Sequence, residues 1–137
     1  MIRKRTFLDA GVLIAAARGQ DTASIAALKI LDDQSREFVS SPFVKLEVIP
    51  KAVYNGKTNE AEFYEAFFDS VCFWEDDLAG IVSAGETIAL SFGLSAMDSL
   101  HVAAAVLSRS EELVTTERQS KPIHRVRGIR VTSIQTI

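Results

Sequence analysis

The chain of 137 residues has the length of one domain, and its 47% hydrophobic and 24% charged residues are typical of a globular protein. The single cysteine excludes an internal disulfide and favours a reducing compartment, so we expect a cytoplasmic protein. No apolar run approaches about 18 residues, which argues against a membrane span. The net charge of −3 is uneven, because residues 1–18 carry +3 and residues 118–137 carry +5. Such basic ends either form a patch for a polyanion or are scattered over a solvated surface.

Strands and helices alternate in the pattern of the first half of the chain. Hydrophobic residues that recur every three or four positions predict the helices, and short apolar runs predict the strands. Ser41 and Pro42 are a helix start signal, whereas Pro50 must kink or shorten the helix that they begin. The predicted elements are a strand at 5–9, helices at 11–17 and 22–33, a strand at 37–41, and helices at 42–53 and 58–70.

The second half continues the alternation. Ser95 is a candidate N-cap, and Asp98 occupies the acidic position of a capping box at the start of an apolar helix. The predicted elements are a strand at 71–74, helices at 78–92 and 97–108, a strand at 112–116 and an edge strand at 129–134. This alternation indicates an α/β fold with a mainly parallel sheet, in one layered domain over residues 1–137.

Four acidic residues occupy related places in this pattern. Asp9 ends the first strand, Glu47 lies in the helix after the second strand, Asp98 opens a helix, and Glu117 follows a later strand. Because a crossover helix runs antiparallel to the next strand, Asp98 and Glu117 should share the carboxyl edge of the sheet, where ligands bind. Each acid also has a plain structural explanation, which is helix capping, solvation or an ion pair.

Together, the four acids predict a metal site. Two like charges 4 Å apart repel by about 1 kcal/mol in water and about 4 kcal/mol at an effective dielectric constant near 20. Several carboxylates around one pocket therefore need protons or a bound cation. Oxygen ligands suit Mg²⁺ or Mn²⁺, ions that assist phosphodiester hydrolysis. The hydroxyls of Thr115 and Thr116 are candidates for orienting the attacking water.

The segments that carry these acids resemble the ordered motifs of PIN-domain nucleases. They read FLDAGVLI at 7–14, VKLEV at 44–48, MDSLHVAA at 97–104 and LVTTE at 113–117. The resemblance covers essentially the whole chain, whose length is that of a stand-alone member such as a VapC-type toxin. It implies a three-layer α/β/α sandwich and an endoribonuclease that depends on Mg²⁺ or Mn²⁺. The implied catalytic and metal-binding residues are Asp9, Glu47, Asp98 and Glu117.

The resemblance also implies products with 5′-phosphate and 3′-hydroxyl ends, a small antitoxin partner and a homodimer. The basic residues Lys121, Arg125 and Arg127 are candidates for contacts with RNA phosphates. Two departures from the family pattern favour a second hypothesis, a PIN-like binding or regulatory module without turnover. Gly11 replaces a residue that is often polar, and Glu117 stands where aspartate is common.

Other kinds of site have little support in the sequence. His101 follows Asp98 by one turn, but a histidine on an apolar helix is more often packed than catalytic. His101, His124 and Cys72 are too few for a zinc site, and no glycine-rich phosphate loop is present.

Overall fold

The structure, a computed structural model, describes residues 2–136, and over that range it contains five strands and six α-helices. The strands are β1 (Lys4–Leu8), β2 (Arg36–Ser40), β3 (Phe73–Trp74), β4 (Glu112–Thr115) and β5 (Arg130–Ser133). The α-helices are α1 (Ala10–Arg18), α2 (Thr22–Leu31), α3 (Pro42–Tyr54), α4 (Thr58–Ser70), α5 (Leu78–Phe92) and α6 (Ala96–Leu107). Two short 3₁₀ helices at Pro122–Arg125 and Ile134–Thr136 were not predicted from the sequence.

The five strands form one parallel sheet in the order β3-β2-β1-β4-β5. In the central strand, Phe7 pairs with Val39 of β2 and with Leu113 of β4, and all three side chains are fully buried. A parallel sheet of this kind is covered on both faces, and β1 accordingly ends in the fully buried residues Phe7 and Leu8. The chain order reverses between β1 and β4, and open α/β sheets bind ligands at the carboxyl end of such a switch point.

The helices form a layer on each face of the sheet. Helices α1 to α4 contact one another, and α5 packs on α6. Right-handed crossovers place the first group on one face and the α5–α6 pair on the other. Ala103, Ala104 and Ala105 are fully buried, because α6 packs closely on the sheet. The predicted three-layer α/β/α sandwich with a parallel central sheet is therefore confirmed.

A sharp corner between α5 and α6 sets the start of α6. Gly93 ends α5 in the left-handed region, with φ of 71°. Ser95 then caps α6, where its hydroxyl accepts a hydrogen bond from the Asp98 backbone N–H at 3.3 Å, as the capping prediction requires. Among residues 2–136, no single helix is long and apolar enough to cross a membrane, and α5 and α6 reach that length and composition only as a pair bent by 117°.

Two predicted elements differ from the structure. The strand predicted at 71–74 is only Phe73–Trp74, because the pairing with β2 is confined to Phe73 with Val39 and Trp74 with Ser40. Helix α3 runs through Pro50 to Tyr54, so the proline does not shorten it. Proline removes one hydrogen bond to the carbonyl of Leu46, but both residues are exposed, so water can solvate that carbonyl.

A cluster of charged residues, which we call the amino-edge cluster, joins the amino ends of the strands at the edge opposite the acids. Its centre is Glu112, whose side chain is 4% exposed and accepts a hydrogen bond from Arg36 at 2.7 Å. Lys4 lies 3.7 Å from the same carboxylate, and the Thr132 hydroxyl donates to its other oxygen. Burial alone would raise the pKa of Glu112, but the Thr132 and Arg36 contacts outweigh it and hold that pKa below its ordinary value.

Candidate active site

All four acids that the sequence singled out line one cavity of about 200 Å³ at the carboxyl edge of the sheet. Asp9 follows β1, Glu47 lies on α3, Asp98 is in the first turn of α6, and Glu117 follows β4. The cavity lies beside the switch point between β1 and β4. The remaining lining residues are Ala10, Gly11, Ile14, His101 and Thr116.

Asp9 is the most buried of these acids, with 7% exposure. It is the N-cap of α1, and its Oδ1 accepts a hydrogen bond from the Val12 backbone N–H at 3.2 Å. Burial raises the pKa of Asp9 to about 6, against opposing contributions from a Thr115 hydrogen bond and from His101. The charge of Asp98 raises it further. Asp9 therefore caps a helix and also interacts electrostatically with Asp98.

Glu47 is held by a histidine whose involvement was missed at the sequence level. The His101 Nε2–H donates to Glu47 Oε1 at 2.5 Å, across the gap between α6 and α3. The His101 side chain is 3% exposed, whereas that of Glu47 is 35% exposed. His101 is thus packed, as expected, but it also reaches the cavity. The one-turn spacing from Asp98 was the available signal, because it puts both residues on one helix face.

The backbone around Glu117 is fixed by several hydrogen bonds. The Glu117 N–H donates to Thr115 Oγ1 at 3.1 Å, and His124 Nε2 donates to the Glu117 carbonyl at 2.9 Å. Gln135 Nε2 donates to the Thr116 carbonyl at 3.0 Å. Thr115 is fully buried and does not line the cavity, whereas Thr116 does. Of the two threonines predicted to orient water, Thr116 has the hydroxyl at the cavity.

Gly11, the first departure from the family pattern, has a structural explanation. A Cβ atom at this position would overlap the Thr116 hydroxyl oxygen and would lie 3.3 Å from the Thr116 methyl group. Thr116 therefore occupies the space that a side chain at position 11 would need. The cavity keeps a hydroxyl there, supplied by the residue that follows β4 and not by α1.

We expect Gly11→Ala to destabilise the protein by about 1–2 kcal/mol, because Thr116 must move to make room for the new methyl group. In a Thr116→Ala background the same change should be neutral or stabilising, because alanine favours a helix over glycine and the overlap is gone. Urea denaturation of the four proteins measures the difference. Equal costs in both backgrounds would contradict the assigned contact.

The predicted RNA-binding residues Lys121, Arg125 and Arg127 are exposed, and none of them lines the cavity. Arg125 instead donates to the Phe92 carbonyl at 3.5 Å. A second, smaller cavity of about 70 Å³ shares Ile14 and Glu47 with the acidic one. Three basic residues also line it, and their proximity to the site was not apparent from the sequence: Arg18, Lys51 and Lys57.

The donor groups of the cavity fit a hard divalent cation. Among residues 2–136, no three His, Cys, Asp or Glu side chains are close enough together to form a ready-made metal site. Mg²⁺ does not require one, because it keeps several waters and binds through one or two carboxylates together with substrate phosphates. Carboxylate oxygens from four parts of the chain, around a cavity of about 200 Å³, suit such an ion.

Three solved structures with the same fold are VapBC or toxin–antitoxin complexes. VapBC2 from Rickettsia felis, bound to a DNA fragment from its promoter, matches with a TM-score of 0.71 at 14% identity, over 94% of this chain and 98% of that chain. A toxin–antitoxin complex from Klebsiella pneumoniae matches with a TM-score of 0.73 at 19% identity, over 94% of this chain and 97% of that chain. DNA-bound VapBC from Salmonella typhimurium matches with a TM-score of 0.68 at 20% identity, over 98% of this chain and 99% of that chain. At these identities the matches establish the fold.

The sequence itself identifies the family. A search of curated proteins gives no match. The family model of the PIN domain, in contrast, matches residues 6–127, which include all four acids, most of β1 and the whole of β2, β3 and β4. The chain therefore belongs to the PIN domain family.

Proposed function

We propose that this protein is a metal-dependent endoribonuclease that hydrolyses RNA phosphodiester bonds. The observation that carries the proposal is the pairing of Asp9 and Asp98 in one cavity, where burial and the neighbouring charge raise the pKa of Asp9 to about 6. A buried carboxylate next to a second one is costly without a cation, so the pair favours metal binding. Membership in the PIN domain family supports nuclease activity.

The four acids of the cavity and Thr116 each have a proposed part. Asp9 and Asp98 are the principal ligands of Mg²⁺ or Mn²⁺, and Glu47 and Glu117 complete the acidic site. When bound, the ion supplies activation of water and neutralisation of charge on the scissile phosphate. The Thr116 hydroxyl orients the attacking water, and hydrolysis leaves a 5′-phosphate and a 3′-hydroxyl without a covalent intermediate.

Basic side chains near the site suit a polyanionic substrate. Lys51 and Lys57 line the cavity that adjoins Glu47, and no ion pair is found for either within residues 2–136. They are proposed to contact RNA phosphates close to the cleaved bond. Lys121, Arg125 and Arg127 remain candidates for contacts farther along the strand.

We also propose that the protein is the toxin of a toxin–antitoxin pair. Three structural neighbours are VapBC or toxin–antitoxin complexes, and each matches almost the whole of this chain. As such a toxin, the chain would form a homodimer. It would also bind an antitoxin protein that covers the acidic cavity. Such a toxin would act in the cytoplasm, where its RNA substrate is found.

A binding module without turnover is the second candidate. The lack of a ready-made group of three metal-binding side chains within the described residues favours it. Gly11 no longer does, because Thr116 places a hydroxyl at that position.

Incubation of labelled RNA with the full chain in Mn²⁺, Mg²⁺ or chelator separates the two candidates. We expect cleavage in metal that chelator abolishes, and a loss on the order of 10³-fold in Asp98→Asn, because the metal contributes several kcal/mol to the barrier. Asp69→Asn is the matched control, because Asp69 is exposed on α4 away from the cavity. Binding without cleavage, unchanged in Asp98→Asn, would instead support the module.

A further inference from the structure

His101 combines two features that packing alone does not explain. Its side chain is 3% exposed and its ring lies beside Phe7, with 6.3 Å between the ring centroids. Nevertheless its Nδ1 atom is fully buried and has no hydrogen-bond partner among the described residues. A buried nitrogen without a partner destabilises the fold, and an apolar residue of similar size would avoid that cost.

The hydrogen bond of the other ring nitrogen, Nε2, explains why a histidine and not an apolar residue occupies position 101. Nε2 lies 2.5 Å from Glu47 Oε1, and a carboxylate only accepts, so Nε2 carries the proton and donates it. The bond joins α6 to α3, and both residues line the acidic cavity. No other hydrogen bond to the Glu47 carboxylate is found within residues 2–136, so His101 alone among them fixes its orientation.

We propose that His101 is a positioning residue that holds Glu47 toward the bound cation. One carboxylate oxygen of Glu47 accepts from His101, which leaves the second oxygen free to serve the cation. Hydrogen bonds of this type to a ligating carboxylate fix its geometry, and their removal typically lowers metal affinity by about 10–100-fold. The inference rests on the proposed function, since it assigns a role around the same cation.

The test uses three changes at position 101 and its partner in the full chain. His101→Leu removes the donor and keeps an apolar side chain of similar size. His101→Gln retains a donor, because the glutamine Nε2 is as many bonds from Cβ as the histidine Nε2. Glu47→Ala removes the acceptor, alone and combined with His101→Leu. Val102→Ala is the control for general loosening of α6, because Val102 is 1% exposed on the same helix and does not line the cavity.

The primary measurement is Mn²⁺ affinity by electron paramagnetic resonance in the absence of RNA, with the thermal midpoint measured in chelator. We expect the dissociation constant to rise about tenfold in His101→Leu and to recover within about threefold in His101→Gln. The double variant should bind no more weakly than Glu47→Ala, because both changes remove one interaction. The thermal midpoint of His101→Leu should equal or exceed that of the wild type, because the unpartnered nitrogen is gone.

Three results would overturn the inference, and they differ from failure of the proposed function. Wild-type Mn²⁺ affinity in His101→Leu, with cleavage intact, would remove the role of His101 and leave the nuclease standing. An equal loss of affinity in Val102→Ala would attribute the effect to loosening of α6. Additive losses in the double variant would show that His101 does not act through Glu47. A wild-type chain that neither binds Mn²⁺ nor cleaves RNA would instead refute the nuclease, and this inference with it.

Discussion

Asp9→Asn should abolish RNA cleavage and at the same time stabilise the metal-free protein at pH 8. The asparagine can keep the cap on α1, because its Oδ1 can accept from the Val12 N–H as the carboxylate does. The Thr115 hydroxyl can reorient to accept from the new amide. What the substitution removes is a buried negative charge near Asp98. We expect cleavage to fall on the order of 10³-fold, because a principal cation ligand is lost.

The gain in stability should depend on pH, with a sign that follows from the pKa of Asp9. The folded protein holds this pKa at about 6, above the ordinary value of 3.8, so it binds the proton more tightly than the unfolded chain. Asp9 therefore favours folding below about pH 4, and that contribution is lost as the pH rises through 6. At pH 8, where Asp9 is ionised in both states, the charge costs about 2–3 kcal/mol.

Urea denaturation of the wild type and Asp9→Asn in chelator, at pH 4.5 and pH 8, measures this effect. From pH 4.5 to pH 8, the free energy of unfolding of the variant should rise by about 1–2 kcal/mol relative to that of the wild type. Saturating Mn²⁺ should reverse the order at pH 8, because the ion stabilises only the protein that binds it. A variant that cleaves RNA at the wild-type rate would exclude Asp9 from catalysis, and a stability difference independent of pH would contradict its burial as a charge.

The sequence predicts the order and type of the main elements because short-range signals specify them. Ser95 and Gly93 mark the corner between α5 and α6, and both act as the sequence indicates. The strand predicted at 71–74 is longer than β3, because tertiary pairing decides how many apolar residues join a sheet edge. Helix α3 continues past Pro50 because Leu46 and Pro50 are exposed, and that exposure is a property of the fold and not of the local sequence.

The sequence predicts which acids line the cavity, because the topology of the sheet brings them to one edge. Asp98 and Glu117 reach one edge because a crossover helix runs antiparallel to the next strand, which the sequence pattern already implies. The contacts that tune the cavity were not predictable, because they join segments far apart in the chain. His101 meets Glu47 across 54 residues, and Thr116 fills the space beside Gly11 across the β1–β4 pair.

Arg36→Met should be among the most destabilising changes outside the cavity, by about 3 kcal/mol or more. Arg36 donates to Glu112 at 2.7 Å, to Thr6 at 3.0 Å and to Asp33 at 3.1 Å, and so joins β1, β2 and β4 at their amino ends. Without it, the side-chain contacts that remain for Glu112 within residues 2–136 are those with Thr132 and with Lys4 at 3.7 Å, in a site where the Glu112 side chain is 4% exposed. Removal of one partner from a buried ion pair typically costs about 3–5 kcal/mol, because a charge is left uncompensated.

Two further variants separate this effect from the loss of any ion pair. Arg18→Met breaks the pair with Glu60 at 3.2 Å, and its cost should stay below about 1 kcal/mol, because the Arg18 side chain is 64% exposed. Arg36→Met with Glu112→Leu should recover most of the loss, because the buried charge is then absent. Urea denaturation at pH 7 measures all three. A cost for Arg36→Met no larger than that for Arg18→Met would mean that water reaches Glu112, and the amino-edge cluster would then contribute little to the stability of the sheet.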